Sequence, residues 1–175
     1  MHDKLKNAPG LYLVGFMGCG KSTVGKLLAK RLGWDFIDLD AKIEEEAGAT
    51  IAEIFEQRGE AEFRSMERHA LLRQTAQVKS GEPRVVALGG GAFAQAGNRE
   101  ALDAAGLSIW IECPLEELWG RVARSRQRPL ARGRDDFEAL YNERRPHYEK
   151  ADFRVLSGPE SPETVVAAIL ELSLL

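Results

Sequence analysis

The sequence predicts an α/β fold, an open and mostly parallel sheet with helices on both faces. Three observations lead there. Short apolar runs alternate with segments whose apolar residues recur at helical spacing. Val85-Val86-Ala87-Leu88 is apolar throughout, as a parallel strand buried on both faces must be. A glycine-rich stretch joins the first strand-like run directly to the first helical pattern.

Leu11 to Val14 is the first strand, and Val24, Leu27, Leu28 and Leu32 form the stripe of the first helix, which Gly33 ends. Phe36 to Leu39 is a short second strand. Ile43 and Ala47 then mark a helix closed by Gly48. Thr50 with Glu53 reads as a capping box opening a helix with Ile51, Ile54 and Phe55 on its inner face. A longer amphipathic stretch runs from about Glu60 to Val78, followed by strands at Val85 to Leu88 and Leu107 to Ile111. Pro114 starts a helix at its first position, and Phe153 to Leu156 is the fifth strand. Ser161 caps a last helix, with Pro162 at its first position and Val165, Val166, Ile169 and Leu172 as its stripe. Arg121 to Arg134 breaks the alternation: it is basic, irregular and interrupted by a proline, which suits a mobile surface segment.

A chain of 175 residues suits one domain with a core of its own. Hydrophobic content of 44% and charged content of 29% are those of an ordinary globular protein. The net charge of -3 argues against a nucleic-acid partner. No apolar run approaches the ~20 residues that span a bilayer, and the polar N-terminus lacks a signal-peptide core. Cys19 and Cys113 make no disulfide framework and suit a reducing compartment. His2, His69 and His147 have no metal-ligand spacing.

The loop after the first strand, Gly15-Phe16-Met17-Gly18-Cys19-Gly20-Lys21-Ser22, satisfies G-x-x-x-x-G-K-[ST]. Glycines let the backbone curl so that successive N–H groups face phosphate oxygens, and the helix behind presents its positive end. Lys21 then reaches the β- and γ-phosphates, and the Ser22 hydroxyl ligates Mg²⁺. Gly18 tightens the loop and leaves little bulk over the phosphates. The bland alternative, a glycine turn followed by a lysine, does not require the strand before it and the helix after it.

Asp38 and Asp40 stand at the C-terminal end of the second strand, two apart on one face of an extended segment, aimed into the crevice where such sheets bind ligands. Two acids facing a triphosphate imply that one serves the metal and the other the acceptor; a helix-capping role for Asp40 is compatible with either. Gly89-Gly90-Gly91 follows the third strand where many phosphate-loop enzymes carry an acid, which moves the metal duty toward Asp38 and leaves bare backbone beside the acceptor. Arg64 and Arg144 are candidates for a bidentate grip on a carboxylate, or surface charges.

Taken together, GFMGCGKST at 15–23, DLD at 38–40, GEAEFR at 59–64, GGGA at 89–92, RPLA at 128–131 and RRPHY at 144–148 resemble the shikimate kinase family in order and spacing over nearly the whole chain. The resemblance implies a three-layer phosphate-loop kinase fold with strand order 2-3-1-4-5. It implies transfer of the ATP γ-phosphate to the 3-hydroxyl of shikimate, with Mg²⁺, by a cytoplasmic monomer of the aromatic amino acid pathway that binds neither nucleic acid nor membrane. Asp40 would bond the shikimate hydroxyls and act as base, and Asp38 would hold Mg²⁺ through water. Arg64 and Arg144 would pair with the carboxylate, Gly90 and Gly91 would contact the ring side, and Phe55 and Phe63 would line the pocket. Gly18, Cys19, Gly20, Lys21, Ser22 and Thr23 would hold ATP, with Arg121 near the adenine. Arg128 would reach the phosphates from a mobile lid at about 121–134, and the substrate segment would span about 40–67. A kinase of another small molecule such as gluconate shares the cradle but need not carry both arginines. A regulatory nucleotide-binding domain would have lost the base or the lid arginine. A GTPase is disfavoured because no Asn-Lys-x-Asp segment occurs.

Overall fold

The computed structural model describes residues 10–124 and 133–172. Five parallel strands form one sheet: β1 (Gly10–Val14), β2 (Asp35–Asp38), β3 (Arg84–Ala87), β4 (Leu107–Glu112) and β5 (Phe153–Leu156), in the order β2-β3-β1-β4-β5. The central strand β1 is buried along its whole length, with Leu11 in register with Val85 on one side and Leu107 on the other. The strand order places the reversal of winding between β1 and β3, and the loops after those two strands flank the crevice that opens there.

Seven helices surround the sheet among the described residues: α1 (Lys21–Leu32), α2 (Leu39–Ala47), α3 (Ile51–Lys79), α4 (Asn98–Asp103), α5 (Leu115–Arg124), α6 (Arg134–Tyr148) and α7 (Pro162–Glu171). α1 lies against β3 and α7, and α2 packs on α3. A Cβ at Gly25 would sit 2.3 Å from a ring carbon of Phe36, so glycine is what lets α1 approach β2 this closely. The Thr50–Glu53 capping box forms as the sequence predicts. The helix it opens runs on through the second amphipathic stretch, broken only at Gly59 (φ 80°, ψ 170°), a backbone state open to glycine.

Two expectations shift, and one helix was not foreseen. β2 ends at Asp38, because the Asp38 carboxylate accepts the Ala41 N–H at 3.2 Å and caps α2; Leu39 and Asp40 are therefore helical, and Asp38 rather than Asp40 is the cap. α5 begins at Leu115, with the Pro114 carbonyl accepting the Leu118 N–H at 3.0 Å from the cap position. α6 is a full helix with Pro146 in its last turn, in a stretch where the sequence offers few apolar residues; Phe137, Tyr141 and Tyr148 are its buried stripe. Of the segment expected to be a lid, 121–124 close α5 and 134 opens α6, while 125–132, Arg128 among them, lie outside the described residues. No described helix is long and apolar enough to cross a membrane.

Candidate active site

The loop between β1 and α1 folds back on its own lysine. Lys21 Nζ donates to the carbonyls of Gly15 (2.8 Å) and Phe16 (3.2 Å). Gly20 takes the cap position of α1 at φ 96°, with no side chain over the helix end and no acid in the first turn, so the positive end of the helix is left for an anion. Cys19 is buried. Gly18 has a role beyond the one expected: a Cβ there would meet Val122 of α5 at 3.2 Å, so this glycine also lets α5 pack on the loop.

The Ser22 hydroxyl donates to the Asp38 carboxylate, joining the start of α1 to the end of β2. These two oxygens are a suitable protein share for Mg²⁺, which takes one or two protein ligands and fills its octahedron with phosphate oxygens and water. Among the described residues no cluster of three or more His, Cys, Asp or Glu side chains is placed to hold a metal ion.

Beside this loop, the triple glycine after β3 is the meeting point of the remaining polar groups. A Cβ at Gly89 would lie 2.6 Å from Asp40 Oδ1, one at Gly90 2.9 Å from an Arg144 nitrogen, and one at Gly91 2.7 Å from an Arg64 nitrogen. Each glycine therefore makes room for a different side chain, and Asp40, Arg64 and Arg144 come from α2, α3 and α6 to the same strip of backbone. The Phe63 ring lies under the Arg64 guanidinium at 5.3 Å and against Phe55 at 4.7 Å between centroids. The Phe16 ring is 5.9 Å from the Arg144 guanidinium, which ties the phosphate loop to α6.

Two residues here escape sequence reasoning. Glu67 is 1% exposed and pairs with Arg64 at 2.9 Å. Its other oxygen, Oε1, is buried with no hydrogen-bond partner among the described residues. Burial pushes the Glu67 carboxyl above the ordinary range, against the pull of Arg64. Its spacing three after Arg64 on a helix was the one available signal. Tyr148, also 1% exposed, donates its hydroxyl to the Gly90 carbonyl, and burial raises its phenol as well. Only its place one turn beyond Arg144 pointed to it.

On the far side of the phosphate loop a cavity of about 280 Å³ is lined by Gly18, Gly20, Thr23, Ser157, Pro162 and Val165, with Arg121 at its wall. Arg121 donates to the carbonyls of Gly18 (3.1 Å) and Gly158 (2.5 Å), bridging the phosphate loop to the loop after β5. The molecule thus holds an anion cradle with a base-sized cavity on one side and, on the other, two arginines and a carboxylate around bare backbone.

Comparison with known proteins gives a consistent result. The family model described as shikimate kinase matches residues 17–173. The shikimate kinase of Ruegeria pomeroyi is 42% identical over 175 residues, covering 92% of this chain and 88% of that protein. That of Brucella canis is 41% identical over 163 residues, covering 91% and 80%. Among solved structures, shikimate kinase from Acinetobacter baumannii in complex with shikimate matches with a TM-score of 0.89 at 36% identity, over 99% of this chain and 97% of that one.

Proposed function

The chain belongs to the shikimate kinase family, and we propose that the site described above is where it transfers the γ-phosphate of ATP to the 3-hydroxyl of shikimate. The observation that carries the assignment is the convergence of Arg64, Arg144 and Asp40 on the 89–91 glycine strip beside the phosphate loop. Two guanidiniums suit a carboxylate, a facing carboxylate suits hydroxyls, and bare backbone suits close approach of a ring.

ATP takes the cradle, with its base in the cavity beside Arg121 and Thr23. Lys21 exchanges the Gly15 and Phe16 carbonyls for β- and γ-phosphate oxygens. Mg²⁺, held by the Ser22 hydroxyl and, directly or through water, by Asp38, would offset charge on the β- and γ-oxygens. Arg64 and Arg144 orient shikimate through its carboxylate, with Phe55 and Phe63 behind them. Asp40 accepts the hydrogen bond of the attacking hydroxyl. As the hydroxyl oxygen bonds to the γ-phosphorus, the bond from that phosphorus to the β–γ bridging oxygen breaks; the hydroxyl proton passes to the Asp40 side and ADP leaves. Arg128 is assigned to phosphate contact during transfer on family likeness alone. The same reading takes 1–175 as one kinase domain with a substrate segment at 40–67 and a lid at 121–134. It makes the protein a cytoplasmic monomer acting on small molecules.

The assignment is tested by following ADP release from MgATP with shikimate, with gluconate and with no acceptor. Release that depends on shikimate alone supports it. Release with gluconate, or equal release with no acceptor, refutes it.

A further inference from the structure

The carboxylate grip and the glycine strip are joined by one side chain. Tyr148 closes α6 one turn beyond Arg144, so the two share a helix face. Its ring is buried, at 6.2 Å from the Trp110 ring of β4. Its hydroxyl is spent on the Gly90 carbonyl, which leaves the oxygen's lone pairs to the Arg144 guanidinium beside it. A trans peptide points its C=O and N–H in opposite directions. Pinning the Gly90 carbonyl to Tyr148 therefore also turns the Gly91 N–H away from it.

We infer that Tyr148 is a positioning residue for the acceptor: through one oxygen it fixes the Arg144 guanidinium and the Gly90–Gly91 peptide in a single relation, so that carboxylate grip and ring contact are set before the substrate arrives. The inference rests on the acceptor reading above. Tyr148 does not touch the acceptor; it acts through Arg144 and Gly90. Without the phenol oxygen, Arg144 keeps its charge but loses its fixed place, and the Gly90 carbonyl loses its donor. The Lys21 and Ser22 side chains of the nucleotide cradle turn instead to Gly15, Phe16 and Asp38 and make no bond to Tyr148.

The test is steady-state kinetics of the whole enzyme with Tyr148→Phe, which keeps the buried ring. KM for shikimate should rise about tenfold, the scale of one lost hydrogen bond to a charged group, while KM for ATP and kcat at saturation stay near those of the parent. The methyl ester of shikimate, which lacks the charge that Arg144 grips, should lose much less than shikimate itself. In an Arg144→Ala background, Tyr148→Phe should cost clearly less than in the parent, because one of the two groups it positions is gone. If Tyr148→Phe does not fold, Gly90→Ala probes the same relation, since its Cβ meets Arg144 at 2.9 Å: displacement of the guanidinium should weaken shikimate far more than its methyl ester, whereas loss of a ring contact alone would weaken both alike and count against the inference. The inference is overturned if KM for shikimate stays within about twofold of the parent, a change too small for a lost hydrogen bond. It is equally overturned if both substrates weaken alike, if ester and acid are affected alike, or if the two substitutions add in full. A parent enzyme that does not use shikimate overturns the acceptor reading itself. A parent active on shikimate with an unaffected variant overturns only the role of Tyr148.

Discussion

Arg64 and Glu67 stand one turn apart on α3, with guanidinium and carboxylate 2.9 Å apart and Glu67 almost wholly out of water. Half of that carboxylate holds the arginine; the other half faces the glycine strip near Asp40. Burial raises the Glu67 pKa more than Arg64 lowers it. A carboxyl whose folded pKa lies above its unfolded one contributes stability below the unfolded pKa, and that contribution is lost as pH rises through the folded value. Glu67→Gln, which does not titrate, should gain Tm relative to the parent from acid toward neutral pH. Thermal melts of the two proteins across that range check this; a Tm difference independent of pH would remove Glu67 from the account.

Asp40 faces Gly89 from the first turn of α2. Asp40→Asn keeps the shape and removes the base. Turnover should fall by about 10²- to 10⁴-fold, as for loss of a general base, with ATP affinity nearly unchanged. Nucleotide titration alongside initial rates checks both halves, and unchanged turnover would exclude a catalytic carboxylate at this position.

Ser22 and Asp38 supply the two oxygens assigned to Mg²⁺. Ser22→Ala and Asp38→Asn should each raise the Mg²⁺ concentration needed for half-maximal rate, and Asp38→Asn keeps a side-chain oxygen to cap α2. The readout is the initial rate against Mg²⁺ at fixed ATP. A Mg²⁺ dependence identical to the parent's in both variants would place the ion elsewhere.

Gly25 faces the Phe36 ring with no room for a methyl group. Gly25→Ala should destabilise the fold by about 1–3 kcal/mol through overpacking, read as a lower denaturant midpoint with an unchanged slope. A neutral or stabilising alanine would mean that α1 shifts freely on the sheet.

Much of this was legible in the sequence because local signals and global order agreed. Leu11–Val14 and Val85–Leu88 are apolar enough to be central strands, and the phosphate loop names its own place between β1 and α1. The Thr50–Glu53 box was equally plain, whereas Arg64 stood apart from a surface charge only through the family resemblance. Asp40 was placed near the right groups for a wrong local reason: it was read as strand, but the Asp38 cap had already turned the chain into α2. α6 was missed because its stripe is sparse and Pro146 reads as a stop, whereas its burial comes from Phe16 and Trp119 packing on Phe137, contacts distant in sequence. Glu67 and Tyr148 escaped for the same kind of reason. A glutamate on a charged helix and a tyrosine after a proline carry no local mark of being buried beside two arginines.

The central claim is that the phosphate goes to shikimate at this site, and ³¹P NMR of the reaction mixture tests it most directly. With MgATP and shikimate the account predicts a new phosphomonoester resonance coupled to the ring proton at carbon 3, growing as ADP appears, and growing far more slowly at the same shikimate concentration with Arg144→Ala. ADP accompanied only by inorganic phosphate, or a phosphoester whose formation is indifferent to Arg144, would contradict it.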